Sequence, residues 1–188
     1  LLIKEVLEYS KLAHTNKGYV KTNLDTVLKA VLNDLDLLLT EKKASIEYKE
    51  ALPAADAIPL QINQLFYNLL TNAIKFQNKL STPVITVSFR WLSKNDLAQH
   101  AELQNDSPYL EITFRDNGIG FDPEFADQIF QLFERLHSVD EYEGTGMGLA
   151  LCKKIAENHN GKIYATSREG EGASFYVLLP ATQVAASK

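Results

Sequence analysis

Asn68-Leu69-Leu70-Thr71-Asn72-Ala73-Ile74-Lys75-Phe76 is the stretch that decides how the rest of the chain is read. It lies inside an apolar pattern, Ile62, Leu65, Phe66, Leu69, Leu70, Ala73 and Ile74, whose 3-4 spacing lines one side of a helix. Pro59 suits the first turn of that helix. The opposite side is polar. Asn68 and Asn72 are four apart and share a face, and Lys75 falls three beyond Asn72. Asparagine is a mediocre helix former, so two on one face need a reason. Solvent exposure is the ordinary one, and for an isolated pair it is the better reading. The chemical one is that amide oxygens ligate Mg²⁺ while a nearby lysine neutralises phosphate.

Two glycine loops follow downstream. Asp116-Asn117-Gly118-Ile119-Gly120 closes an alternating stretch, Leu110, Ile112 and Phe114 against Glu111, Thr113 and Arg115, which reads as a strand. D-N-G is good turn chemistry in its own right. A carboxylate at a strand end also accepts well from an amino N–H₂ edge. Gly144-Thr145-Gly146-Met147-Gly148-Leu149 opens a helix running to Asn158. Bare backbone at a helix N-terminus suits phosphate. The spacing is not the G-x-G-x-x-G of a dinucleotide fold, and no G-x-x-x-x-G-K-[ST] run or protein-kinase motif set occurs.

Working outward, Asn23 caps a helix whose apolar positions run from Leu24 to Leu39. Ala44 to Lys49 reads as a short strand. Val84 to Leu92 alternates, with Ile85, Val87, Phe89 and Trp91 on one side, and reads as a half-buried strand. Ser93 to Pro108 reads as a long polar hairpin loop, and Pro123 to Phe133 as a short helix. His137 to Glu143 is polar and acidic and reads as mobile. Lys162 to Arg168 and Ala173 to Leu179 form a hairpin across Glu169 to Gly172. Strands that pair antiparallel, with helices arriving singly, predict one sheet with helices on one face, an α/β (α+β) sandwich.

The chain has 188 residues and a net charge of −5, with 45% hydrophobic and 23% charged residues. That is the composition of a soluble globular protein large enough for a real core. The acidic balance argues against nucleic-acid partners. The single cysteine excludes an internal disulfide and any multi-cysteine metal site. Leu2, Val6, Tyr9 and Ala13 follow a heptad seam, so residues 1–18 read as the end of a longer helix and a linker; an amphipathic helix packed on its own domain is the other reading. Residues 19–182 form the main domain, and 183–188 a frayed tail.

In their order, these elements resemble the ATP-binding catalytic domain of two-component sensor histidine kinases, with a phytochrome-like, multi-sensor character. Asn68–Phe76 resembles the N box, Asp116–Gly120 the G1 box and Phe130 with Phe133 the F box. Gly144–Leu149 resembles the G2 box, and Gly170–Phe175 the last glycine segment. Leu7–Leu12 resembles the end of the second dimerisation helix. The resemblance implies a Bergerat-type two-layer sandwich: a mixed, mostly antiparallel sheet with helices packed on one face. It implies that Asp116 holds the adenine amino group, Asn72 ligates Mg²⁺, Asn68 supports the metal–phosphate cluster, Lys75 meets phosphate and Phe76 flanks the nucleotide. Gly118, Gly120, Gly144, Gly146 and Gly148, with Thr145, Met147 and Leu149, would shape the ATP pocket. Phe121 to Thr145 would be a lid, with Arg135 touching phosphate. Met147 stands where the family often has Leu or Ile. Asn160 stands where many members have Gly, and asparagine tolerates a left-handed backbone.

The family's acceptor histidine is followed by an acid. His14, His100, His137 and His159 are not, and all four read as surface histidines. The acceptor is therefore expected on an upstream dimerisation domain, with sensor modules beyond it, homodimerisation of the full-length protein, a response-regulator receiver as the next partner, and a cytoplasmic location for this domain. Asn68 stands where hydrolytic relatives of the gyrase and mismatch-repair type carry a general-base Glu. Those ATPases, and a non-catalytic nucleotide-binding module, are the alternatives.

Overall fold

The computed structural model describes residues 7, 9–10, 18–78, 81–103, 107–136 and 144–183. Leu7, Tyr9 and Ser10 are helical; the rest of the expected N-terminal helix lies outside the described residues, as do 137–143 and 184–188. Val20–Asn23 (β1) pairs antiparallel with Ala54–Ala57 (β3) in a two-stranded sheet, Val20 opposite Ala57 and Asn23 opposite Ala54. Neither strand is evident from alternation. Four residues are too few, and Ala-Ala-Asp-Ala has little β-propensity.

Asn23 does cap Leu24–Asp34 (α1), its side chain accepting from the Thr26 amide at 3.0 Å. The predicted single helix breaks at Leu35 (ψ 1°) and resumes as Asp36–Lys42 (α2). Asn33 and Asp34, which favour local side-chain bonds over helix, precede the break, and buried Leu35 stays in the core. Pro59–Lys75 (α3) starts with proline in its first turn, and every predicted apolar position is buried.

The described strands of the main sheet run from Ser45–Glu47 at one edge to Lys162–Arg168 at the other. Ser45–Glu47 (β2) runs parallel to Val84–Trp91 (β4). Tyr109–Asp116 (β5), Gly172–Pro180 (β7) and Lys162–Arg168 (β6) continue antiparallel. Ile112 opposite Val177 and Phe114 opposite Phe175 face the helix layer of α1, α3 and Gly148–Asn158 (α5). Trp91, expected inside, is 47% exposed at the end of β4 and joins neither core cluster.

The connection read as a plain loop holds a one-turn helix, Lys94–Leu97 (α4), with a Ser93/Asp96 capping box. Leu92, Leu97 and Leu103 gather there against Tyr109 and Leu178, making a small second core on the sheet's far face. Beside it, Glu111 is buried under Arg90 Nε at 2.6 Å and the Tyr164 hydroxyl at 2.9 Å. The expected helix after Pro123 is two 3₁₀ turns, Pro123–Phe125 and Gln128–Phe130.

His159 is not a surface residue. It is fully buried at the end of α5, where Nε2 accepts from the Ile58 amide at 3.0 Å and Nδ1 lies 2.7 Å from the Ile155 carbonyl. Burial holds its pKa below the ordinary histidine value. His100 is half-buried, 3.2 Å from Lys162 Nζ. His14 and His137 lie outside the described residues. Asn160 takes the left-handed backbone expected of it, φ 53°. Gln183, assigned to a frayed tail, donates to the His159 carbonyl at 2.9 Å.

Candidate nucleotide site

A cavity of about 590 Å³ opens between α3, α5 and the ends of β5 and β7. One end is built around Asp116, the last residue of β5. Its Oδ1 accepts from Gly118 at 2.8 Å and from Ala173 at 3.2 Å. The side chain is mostly buried, and burial raises its pKa above the ordinary 3.8, against the lowering effect of those backbone bonds. The Ile119 amide donates to the Phe76 carbonyl at 2.9 Å, tying the end of α3 to this strand end.

Backbone meets backbone around the carboxylate. A Cβ on Gly118 would collide with the Phe76 carbonyl, one on Gly120 with the Arg168 carbonyl, and one on Gly172 with the Asp116 carbonyl. Gly120 and Gly172 also have φ of +63° and +88°. These glycines are required by close approach and left-handed backbone together.

The other end lies along the polar face of α3 and the start of α5. Asn68 Nδ2 is 3.4 Å from the Gly148 carbonyl. Asn72 and Lys75 follow on the same wall, and Lys75 Nζ sits 4.3 Å from the centre of the Phe76 ring. Arg135 donates to the Gly144 carbonyl at 2.7 Å, closing Phe133–Leu136 onto the glycine loop. A Cβ on Gly144 would lie 2.7 Å from Lys75 Nζ. At Gly146, φ +76°, it would lie 2.8 Å from the Glu134 carbonyl.

The structure thus gathers Asn68, Asn72, Lys75, Phe76, Asp116, Gly120, Arg135, Gly144, Thr145, Gly146, Gly148 and Leu149 into one wall. Two residues expected there are not in it. Gly118 supports the wall from behind, and Met147 turns into the interior, 2% exposed, as the residue preceding α5. Among the remaining lining residues, Tyr67, Ile129 and Phe175 were unforeseen. Cys152 was unforeseen too. Its buried thiol, pushed up to about 12 by desolvation, touches the Asn68 side chain and points at the Leu65 carbonyl. Spacing gave a signal for Cys152, which lies one turn after Gly148 on α5.

The donor set suits a magnesium–phosphate group better than a bare ion. No cluster of three His, Cys, Asp or Glu side chains occurs among the described residues. Mg²⁺ needs few protein ligands when phosphate and water supply the rest, and Asn68 and Asn72 offer neutral amide oxygens beside the Lys75 cation.

A mixed sheet under three helices, with an apolar slot ending in a buried carboxylate on one side and amides, lysine and glycine backbone on the other, defines a nucleotide-binding α/β sandwich. The chain belongs to the family of histidine kinase-, DNA gyrase B- and HSP90-like ATPases, whose profile matches residues 57–183. It is 42% identical over 95% of its length to cyanobacterial phytochrome A of Nostoc sp., and 39% identical over 95% to the phytochrome-like protein Cph1 of Synechocystis sp.. It covers 21% and 22% of those two proteins, about a fifth of each. Full-length ShkA, solved in complex with AMPPNP, shares the fold with a TM-score of 0.73 at 22% identity, over 98% of this chain and 36% of that one. Among the described residues, no helix is long and apolar enough to cross a membrane.

Proposed function

We propose that this chain is the ATP-binding catalytic domain of a sensor histidine kinase and delivers the γ-phosphate of ATP to a histidine on an upstream dimerisation domain. The observation that carries the reading is the two-ended cavity: the Asp116 carboxylate at one end, Asn68, Asn72, Lys75 and the Gly144–Gly148 backbone at the other. The phytochrome relatives and the AMPPNP complex of ShkA support it.

Asp116 accepts from the adenine amino group, and the Phe76 ring flanks the nucleotide. Asn72, with Asn68 beside it, would hold Mg²⁺, which would supply charge neutralisation at the phosphates when bound. Lys75 and Arg135 add positive charge at the phosphates, and the amides of the glycine loop donate to them. A neutral imidazole nitrogen of the acceptor attacks the γ-phosphorus in line. The bond from phosphorus to the β–γ bridging oxygen breaks, and ADP leaves with that electron pair. The imidazole's other nitrogen gives up its proton to solvent. Catalysis rests on positioning and charge neutralisation, so the site needs no base to activate water.

Asn68 argues against the gyrase-type ATPase, which needs a carboxylate base at that position. None of the four histidines of this chain is followed by an acid, and fully buried His159 is out of reach of any phosphate donor. The acceptor therefore belongs to the upstream domain, to which residues 1–18 lead. Residues 19–182 then bind the nucleotide, and the phosphohistidine passes its group to a response-regulator receiver.

The test is incubation with γ-labelled ATP, alone and with the acceptor-bearing domain. The expected label is acid-labile and base-stable, and it sits on the acceptor domain and not on this chain. Steady release of inorganic phosphate with no labelled protein would overturn the reading in favour of the ATPase.

A further inference from the structure

The polar face of α3 does not end with the cavity. Leu60, Gln64, Tyr67 and Thr71 follow a 4-3-4 spacing, which puts them on one stripe of the helix. Thr71 lines the cavity, and its hydroxyl donates to the Tyr67 carbonyl at 2.8 Å. Tyr67 stands at the rim: it lines the cavity and is still 41% exposed. Leu60, two turns earlier, is 78% exposed. Leu60 is large, apolar and mostly uncovered, and the Tyr67 ring is covered only in part. The other side of α3, from Ile62 to Ile74, is buried throughout.

The cavity's two ends fix what lies beside Tyr67. The Phe76 carbonyl touches the Asp116 loop, so the C-terminal end of α3 marks the adenine end. Tyr67 is nine residues back, about 13 Å along the helix axis at 1.5 Å per residue. It adjoins Asn68, which meets Gly148 at the phosphate end. The terminal phosphate therefore emerges next to Tyr67. In-line transfer needs the attacking atom about 3–3.5 Å from phosphorus. Any element that carries the acceptor to that point must cover the Tyr67 ring.

We propose that Tyr67, at the rim of the cavity, and Leu60 behind it are the seat of the acceptor-bearing helix: a positioning surface that aligns the incoming histidine. This rests on the kinase reading above and adds to it the element that orients the second substrate. The stripe suits an amphipathic helix laid along α3, with apolar anchors spaced two turns apart and polar Gln64 between them. An aromatic at the rim of a cavity is also a residue type that dominates such contacts.

Transfer from saturating ATP to the separately added acceptor domain is followed as acceptor concentration varies, for the parent, Tyr67→Ala, Tyr67→Phe and Leu60→Glu. Tyr67→Ala should raise the acceptor concentration needed for half-maximal transfer about tenfold or more. Leu60→Glu should raise it several-fold, and Tyr67→Phe should stay near the parent because the ring is what seats the helix. Mg–ATP affinity, measured in parallel without acceptor, should stay within about threefold in Leu60→Glu, whose side chain lies outside the cavity lining, while saturating ATP keeps the acceptor dependence of the Tyr67 variants as their readout. Both side chains are exposed, so unchanged melting temperatures certify the fold. Tyr67→Ala transferring like the parent overturns the inference and leaves the kinase reading standing. Leu60→Glu losing ATP affinity in step with transfer also overturns it, because the stripe would then act through the nucleotide site. A parent that binds ATP and labels no acceptor overturns the kinase reading and this inference with it.

Discussion

At the Asp116 end of the cavity, backbone lies on backbone. At the other end Gly146 also lies against the Glu134 main chain, but Gly144 faces only a side-chain tip. A methyl on Gly172 would have to displace the Asp116 carbonyl, whereas one on Gly144 would meet the Lys75 ammonium, the far end of a flexible chain. Asp116 is held by two backbone amides from different strand ends. The Gly144 loop is held by the Arg135 guanidinium. On the proposed function, the difference separates two tasks. A base is flat and invariant, so its receptor can be rigid and preformed. A triphosphate loses a phosphate in the reaction, so its receptor must let go, and contacts made by long side chains can do so without moving the sheet.

The largest expected effect tests the rigid end. Gly172→Ala adds a clash with main chain to a left-handed backbone at φ +88°. It should cost about 3 kcal/mol of stability or more and abolish nucleotide binding. Gly144→Ala should melt much closer to the parent, its cost confined to backbone strain of about 1–2 kcal/mol, and should instead weaken the phosphate contacts of Lys75. Thermal melts of the two variants check this. Equal losses would remove the contrast between the ends.

Asn72→Ala comes next and acts at the other end alone. It should abolish the tightening that Mg²⁺ gives to ATP while leaving adenosine affinity nearly unchanged. Titrating both ligands with and without Mg²⁺ separates the two. A parallel loss for both would mean that the ends are not independent.

pH distinguishes them more gently. Burial raises the Asp116 pKa above 3.8, and only the carboxylate accepts on both oxygens. Adenosine and ATP affinity should therefore fall as pH drops through that raised value, and Asp116→Asn should lack this dependence. Fold stability responds with the opposite sign. The contribution of this group is present below 3.8 and is lost as pH rises through the raised value, because ionising a buried carboxyl is unfavourable. Calorimetric titrations and melts over the acidic range read both signs. The smallest effect expected is that of Arg135→Ala, about threefold to tenfold in ATP affinity, together with faster amide exchange at Gly144 to Gly146, since one charge-assisted hydrogen bond is lost. Unchanged exchange there would mean that the Gly144 loop is held by something else.

The sequence was legible where a pattern is local. The face of α3, the Asn23 cap, the hairpin across Glu169 to Gly172 and the left-handed Asn160 each depend on residues within a few positions of one another. The order of the three boxes sufficed to bring distant residues to one cavity. What escaped is held by distant partners. His159 is buried because the Ile58 amide, 101 residues away, needs an acceptor. The pairing of β1 with β3 spans more than thirty residues between two four-residue segments, one of them mostly alanine. The run from Leu24 to Leu39 keeps its apolar period through the break at Leu35, so periodicity alone gives no sign of it. Met147 shares a motif with cavity residues, yet its side chain turns inward, which spacing within a glycine loop does not settle.

The central claim is that one cavity reads the base with Asp116 and the phosphates with α3 and the glycine loop. Its most direct test is a calorimetric titration of Mg–ATP and Mg–GTP into the parent and into Asp116→Asn at neutral pH. Leaving a buried polar partner unmatched costs about 1–3 kcal/mol, roughly ten- to a hundredfold in affinity. The parent should bind ATP and discriminate strongly against GTP, and Asp116→Asn should lose ATP affinity by that factor and most of the discrimination. A variant that binds ATP as tightly as the parent, or a parent that takes GTP equally well, would contradict the account.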